Sequence, residues 1–158
     1  MSTQASANDA ELVLKLYDLR REAEMRKARN WWAAQFWPEN ADDVFKVGMA
    51  MGTPENAWLR QVVGYWEMAA SLVLHGAINE ELFMEPAICG EMFFVFAKVH
   101  PFLKELREKF QSPTMMANIE KLINKSQKGR EQLAQFEQRV NGFRQRVKEE
   151  RAKKGTAA

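Results

Sequence analysis

The sequence has a single cysteine, Cys89, and only two histidines among its 158 residues. One cysteine excludes a disulfide framework within the chain and a zinc site built from four cysteines. The longest run without Asp, Glu, Lys or Arg is Met68–Asn79, which at twelve residues is too short to span a bilayer. The first residues also lack the basic-then-apolar order of a secretory signal. These absences favour a soluble, cytoplasmic protein with no transmembrane segment, and we expect neither a metal nor another cofactor.

Charges of opposite sign are segregated along the chain, although the net charge is only +2. Residues 39–100 carry nine acidic and three basic groups, whereas residues 101–158 carry fourteen basic and seven acidic groups. Such segregation indicates either an anionic partner or docking of the two regions on each other. Docking, within one chain or between two copies, is the simpler interpretation.

Proline, glycine and capping residues fall where helices should begin and end, and no strand pattern is present. Asp9 is a plausible N-cap for a helix that continues to about Phe36, and Thr53 followed by a proline opens a helix that ends near His75. Ser112 and the proline after it repeat this start signal. We therefore predict an all-α fold with a compact bundle of four to five helices over residues 9–110, a long amphipathic helix over residues 113–154, and disordered ends at residues 1–8 and 155–158.

The last predicted helix carries a heptad seam, because apolar or small residues recur from Met115 to Val147 at alternating spacings of four and three. Ser126 and Gly129 form a weak waist, where the helix is expected to bend or break. Basic residues beside the seam disfavour a parallel homodimer, so we expect an antiparallel or an acidic mate. The predicted function is that of a non-enzymatic interaction or scaffold protein, which self-associates or binds a protein partner through Ile119, Leu122, Leu133, Phe136, Val140, Phe143 and Val147.

The end of this helix is strongly basic, with seven basic and two acidic groups in residues 139–154. A solvated face that keeps the helix soluble is the simpler interpretation. The alternative function is binding to the phosphates of nucleic acid or to anionic lipid. That function would use Arg139, Arg144, Arg146, Lys148, Arg151, Lys153 and Lys154.

Polar side chains form one narrow stripe on the otherwise apolar helix after Thr53. Arg60, Glu67, Ser71 and His75 share this face at helical spacing. The stripe is either the one wet face of a central helix or the wall of a ligand pocket, which would make the protein a small-ligand sensor or an enzyme. No arrangement of these residues identifies a nucleophile or an acid–base pair, so we assign no catalytic residue and favour the wet face.

Part of the chain resembles a known family. The stretch Tyr65–Phe83 has an aromatic-Glu pair, an apolar helix, Gly-x-Ile and an acidic turn with Leu-Phe, and Pro101–Arg107 follows with a Leu-x-x-Leu-Arg-like segment. This pattern, over about residues 55–110, is similar to a family of short bacterial helical proteins catalogued as a domain of unknown function. The resemblance implies an all-helical protein in a bacterial cytoplasm or at the inner face of a membrane. It implies no activity, cofactor or catalytic residue.

Overall fold

The computed structural model describes residues 4–156, and every regular element in that range is helical. The predicted all-α fold is therefore confirmed. A 3₁₀ turn, His100–Phe102, lies between the sixth and seventh α-helices. The α-helices are α1 (Ala7–Arg20), α2 (Ala23–Ala34), α3 (Ala41–Met49), α4 (Pro54–Leu74), α5 (Glu80–Phe83), α6 (Pro86–Val99), α7 (Leu103–Lys109), α8 (Ala117–Asn124) and α9 (Gln127–Thr156).

The first helix begins earlier than predicted, because the capping residue is Ser6 and not Asp9. The Ser6 hydroxyl accepts from the Asp9 amide at 3.2 Å, and the Asp9 carboxylate accepts from the Ser6 amide at 2.7 Å. This reciprocal capping box places Asp9 inside the first turn. The segment 1–8 predicted to be disordered therefore loses its last residues to α1, and residues 1–3 lie outside the described range. At the other end α9 continues to Thr156, and residues 157–158 lie outside that range.

The predicted single helix from Asp9 to Phe36 is two helices, with a break at Arg21 and Glu22. The Glu22 carboxylate accepts from the amides of Glu24 and Met25, so it caps the start of α2. Glutamate is not among the preferred N-cap residues, and neither proline nor glycine marks the break. The interruption therefore left little signal in the sequence.

The predicted helix start at Thr53 is confirmed, and a polar cap or a proline also marks the starts of α5 and α6. Thr53 caps α4 by accepting from the Asn56 amide, and Asn79 caps α5 by accepting from the Leu82 amide. A new helix starts at Pro86. Ser112 is an exception, because α8 begins only at Ala117, after Met116 in the left-handed conformation (φ 55°).

The core surrounds α4, which packs against α2, α3 and α8, while α6 packs against α9. Its largest fully buried side chains are aromatic and include Trp32, Trp66, Phe93 and Phe96. The adjacent Trp31 is also buried, since it stacks on Phe36 with ring centroids 4.5 Å apart. Burial of apolar area on this scale is the main driving force for folding.

The predicted waist in the last helix is a true interruption between α8 and α9. Lys125 and Ser126 belong to neither helix, and the Ser126 hydroxyl accepts from the Gly129 amide at 2.9 Å. A Cβ atom on Gly129 would lie 2.2 Å from the carbonyl oxygen of Ile123. Only glycine fits this close approach, so it fixes where α9 begins.

The helical stretch Pro86–Lys109 has the length and apolar composition of a membrane span, with a mean hydropathy of 1.2. Half of the most apolar 18-residue segment in this stretch is buried inside the protein. The core helix of a bundle has the same composition, so this stretch is weak evidence for a span.

Candidate functional site

In the stripe on α4, Glu67 contacts the start of α8. Its carboxylate accepts from the Ile119 amide at 3.0 Å and from the Asn118 side-chain amide at 3.1 Å. Met116, which precedes α8, makes no side-chain capping hydrogen bond. Glu67 therefore serves as the N-terminal cap of α8 from another helix, where its negative charge also complements the helix dipole.

The other stripe residues make local contacts along α4. The Arg60 guanidinium donates to the Asn56 side-chain oxygen at 3.0 Å, and His75 Nδ1 lies 2.9 Å from the Ser71 carbonyl oxygen. Arg60 and His75 are exposed, and Ser71 is half-buried. A cavity of about 590 Å³ lies near this end of α4, between α5 and the start of α9, but none of the four stripe residues lines it.

The heptad seam packs within its own chain. Ile119 and Leu122 are buried in α8, Leu133 and Val140 are buried in α9, and Phe136 stacks on Phe93 of α6 with ring centroids 5.6 Å apart. The seam side chains of α9 thus lie against the apolar surface of α6, in the core of one molecule.

The mate of the seam is α6, which belongs to the acidic region 39–100 of the same chain, but the two helices are not antiparallel. Phe93 contacts Phe136, and the Lys98 carbonyl oxygen accepts from Arg144, so α6 and α9 run in roughly the same direction. The sequence favoured an antiparallel or acidic mate because the seam has basic flanks. The α6 helix carries only Glu91 and Lys98 as charged residues, so it places little repulsive charge opposite those flanks.

The last turns of the seam remain partly accessible. Phe143 is 47% exposed, and its ring lies 6.1 Å from that of Trp37. The Arg146 guanidinium lies 5.2 Å from the Phe143 ring centroid, while Val147 is half-buried. This end of α9 therefore presents an aromatic ring beside a cation.

The seven basic residues predicted to bind anions fall into two groups. The first group contacts other parts of the chain. Arg144 donates to Asn141 and to the Lys98 carbonyl oxygen. Lys148 pairs with Glu39 at 3.5 Å, and Arg151 donates to the Gln35 carbonyl oxygen at 3.3 Å. The side chains of the other four are exposed and form no ion pair or hydrogen bond with any residue of the range 4–156. These four cations are Arg139, Arg146, Lys153 and Lys154.

A buried lysine, Lys98, lies near the end of α6, and no sequence pattern predicted its burial. Its side chain is fully buried and donates to the Trp32 carbonyl oxygen at the end of α2. Its amine lies 3.6 Å from the Trp37 ring centroid. Burial, together with a smaller contribution from the nearby charge of Arg144, lowers the pKa of Lys98 to about 6. The burial of this lysine, in the apolar run before His100, becomes evident only from the side chains packed around it in the fold.

The cysteine lies in the core, as its sequence context indicates. Cys89 is fully buried, and burial raises the pKa of its thiol to about 12, so the reactive thiolate is disfavoured. Within residues 4–156, no group of three or more His, Cys, Asp and Glu side chains is placed to hold a metal ion.

Comparison with known proteins gives one family. The family described as Domain of unknown function (DUF4760) matches residues 5–126, about three quarters of the chain. The match ends directly before α9, which begins at Gln127. Neither the comparison with curated proteins nor that with solved structures gave a match.

Proposed function

We propose, for a chain that belongs to the DUF4760 family of domains of unknown function, a non-enzymatic role as a helical interaction protein that self-associates through the exposed face of α9. Its partner surface is the acidic region of a second copy. A location in the cytoplasm, or at the inner face of a membrane, is part of this proposal. The observation that carries it is the combination of a half-exposed Phe143 with four cations whose side chains form no ion pair or hydrogen bond among the described residues.

The chemistry of this face indicates what it would bind. Phe143 offers apolar area, and Arg146 beside it can bind a carboxylate. An aromatic ring next to an arginine is typical of the residues that contribute most to binding energy. The preferred partner surface is therefore acidic and partly apolar.

The chain itself contains such an acidic surface. Residues 39–100 carry nine acidic and three basic groups. Glu55 and Glu85 in this region are exposed. Because α9 of one copy would bind a different surface of the next copy, the contact is heterologous and forms a ring or a chain of molecules.

The test is the molar mass of the protein by light scattering during elution, at low and moderate salt. A variant with Arg146→Glu, Lys153→Glu and Lys154→Glu reverses three of the unpaired cations. A control variant with Lys15→Glu, Lys104→Glu and Lys121→Glu changes the net charge equally on other exposed surfaces. We expect an oligomer for the full-length protein and the control, and a monomer for the α9 variant. A monomeric full-length protein at every concentration would contradict the proposal.

The same four cations support a second candidate function, which is binding to nucleic acid or anionic lipid. Each phosphate contact changes the slope of log K against log salt by about −0.9, so four contacts predict a slope of about −4 on double-stranded DNA. The triple α9 variant should flatten this slope to about −1. Salt-insensitive or absent binding to DNA, RNA and anionic vesicles would eliminate this candidate.

A further inference from the structure

An apolar cleft opens between α1 and the helices beneath it. Its volume is about 370 Å³, which lies at the lower end of the range for small-molecule sites, about 300 to 1,000 Å³. The walls are apolar side chains from α1, α4, α5 and α6, among them Val13, Leu16, Trp66, Phe83 and Ile88. This site lies apart from the α9 surface and does not depend on the function proposed for it.

The α1 helix is held over the cleft by hydrogen bonds to other helices. Near its start, the Asp9 carboxylate accepts from the Asn79 amide at 2.7 Å. Farther along, the Tyr65 hydroxyl donates to the Leu16 carbonyl oxygen at 2.6 Å. These two anchors fix α1 at a distance from α5 and α6, so the apolar side chains do not close the space between the helices.

One positive charge at the cleft is not neutralised. The Arg20 guanidinium lies 5.3 Å from the Tyr17 ring centroid and 5.5 Å from that of Trp66. It forms no ion pair and donates no hydrogen bond to any residue of the range 4–156. A guanidinium with free donors beside an apolar cleft is suited to a ligand with a carboxylate.

The neighbouring titratable groups leave this charge uncompensated. Glu91 accepts from the Arg29 guanidinium at 2.6 Å and from the Trp66 indole at 3.2 Å, so its charge is already balanced. Burial raises the pKa of Tyr65 to about 12, so its hydroxyl stays neutral. Among the residues that line the cleft, Arg20 is the one charged side chain.

We infer that this cleft binds a medium-chain monocarboxylate, with the alkyl chain along the apolar walls and the carboxylate on Arg20. The alkyl chain gains by leaving water for walls formed by Leu16, Phe83 and Ile88. The single carboxylate neutralises the single unpaired guanidinium. A partner helix suits the space less well, because it would need several turns of open groove and α1 already lies across the cleft.

The experiment is a calorimetric titration of the full chain with decanoate, with decanol as the uncharged ligand of equal chain length. The Arg20→Met variant keeps the apolar stem and removes the charge, and Arg21→Met is the matched control because Arg21 does not line the cleft. We expect saturable one-to-one binding of decanoate, weakened about tenfold or more in Arg20→Met and unchanged in Arg21→Met. Decanol should bind the unaltered protein about as weakly as decanoate binds Arg20→Met.

A second variant tests the position of the ligand. Ala87 is exposed and lines the cleft, so Ala87→Trp fills the space without disturbing the core. The Ala87→Trp variant should no longer bind decanoate, while its thermal unfolding temperature stays unchanged. Absence of saturable binding to the unaltered protein, or equal affinity in Arg20→Met, would overturn the inference. So would a dimer that Ala87→Trp dissociates, because the cleft would then be an interface between two copies.

Discussion

Lys98 makes the stability of this protein depend on pH in a range where few other side chains titrate. The amine is fully buried between Trp37 and the Trp32 carbonyl oxygen. The pKa of Lys98 in the folded chain is about 6, whereas its ordinary value is 10.5. Between these two values the unfolded chain holds a proton that the folded chain has released.

The sign and size of the effect follow from proton linkage. Because the unfolded state binds more protons between these two values, the free energy of unfolding rises with pH by about 1.4 kcal/mol per pH unit. Above about pH 9 the Cys89 thiol opposes this rise, since its pKa in the folded chain is about 12 and only the unfolded thiol ionises. The clean interval is about pH 7 to 8.5, over which the unfolding free energy should increase by about 2 kcal/mol.

The assay is urea denaturation at several pH values for the full chain and for Lys98→Met. In the methionine variant the unfolding free energy should no longer rise with pH over this interval. At pH 7 this variant should be about 2 kcal/mol more stable than the unaltered protein, even though the Trp32 carbonyl oxygen loses its donor. Lys104→Met, at an exposed position on α7, is the matched control and should keep the slope. A flat profile for the unaltered protein would refute the reasoning, because it would mean that Lys98 stays charged against the Trp37 ring and the carbonyl.

Three further predictions concern α8, α9 and the contacts that hold them. Glu67→Ala should lower the unfolding free energy by about 2 kcal/mol in urea, and Glu67→Gln by less than about 1, because glutamine still offers an oxygen to the α8 amides; equal losses would contradict the capping role. Gly129→Ala should cost about 3 kcal/mol through its clash with the Ile123 carbonyl, whereas Gly142→Ala, which meets open space, should stabilise α9 by about 0.5 to 1 kcal/mol. A chain ending at Gln111 should show no cooperative thermal unfolding by circular dichroism, because it lacks the buried Ile119, Leu122 and Val140; a chain ending at Val147 should keep the transition.

Proline, glycine and hydroxyl caps made many helix boundaries predictable from the sequence. The side chains of Thr53 and Asn79 accept hydrogen bonds from backbone amides that the first turn leaves unpaired. Pro86 starts a helix for another reason, because proline has no amide hydrogen that would need a partner in the first turn. The break at Glu22 was missed because a glutamate side chain reaches back to cap α2, which is a rare use of that residue. The late start of α8 was missed for a related reason, since its cap, Glu67, lies far away in the sequence.

The candidate sites were less predictable, because they depend on which elements meet. The heptad seam was evident, but an apolar stripe does not say whether its mate is another molecule or α6 of the same chain. Glu67 and His75 share a helical face, yet their different partners became visible only with α8 in place. The cleft at Arg20 depends on two hydrogen bonds between distant residues, and neither has a local signal.

The packing of α9 on α6 also constrains how the protein is made. The side chains of α6 leave the ribosome well before Leu133 and Val140, which cover them, are synthesised. Until then the face of α6 that α9 covers in the folded chain lies exposed, within a stretch, Pro86–Lys109, that has the composition of a membrane span. A chain that ends before Leu133 leaves this apolar face exposed to water, so we expect it to aggregate more readily than the full chain.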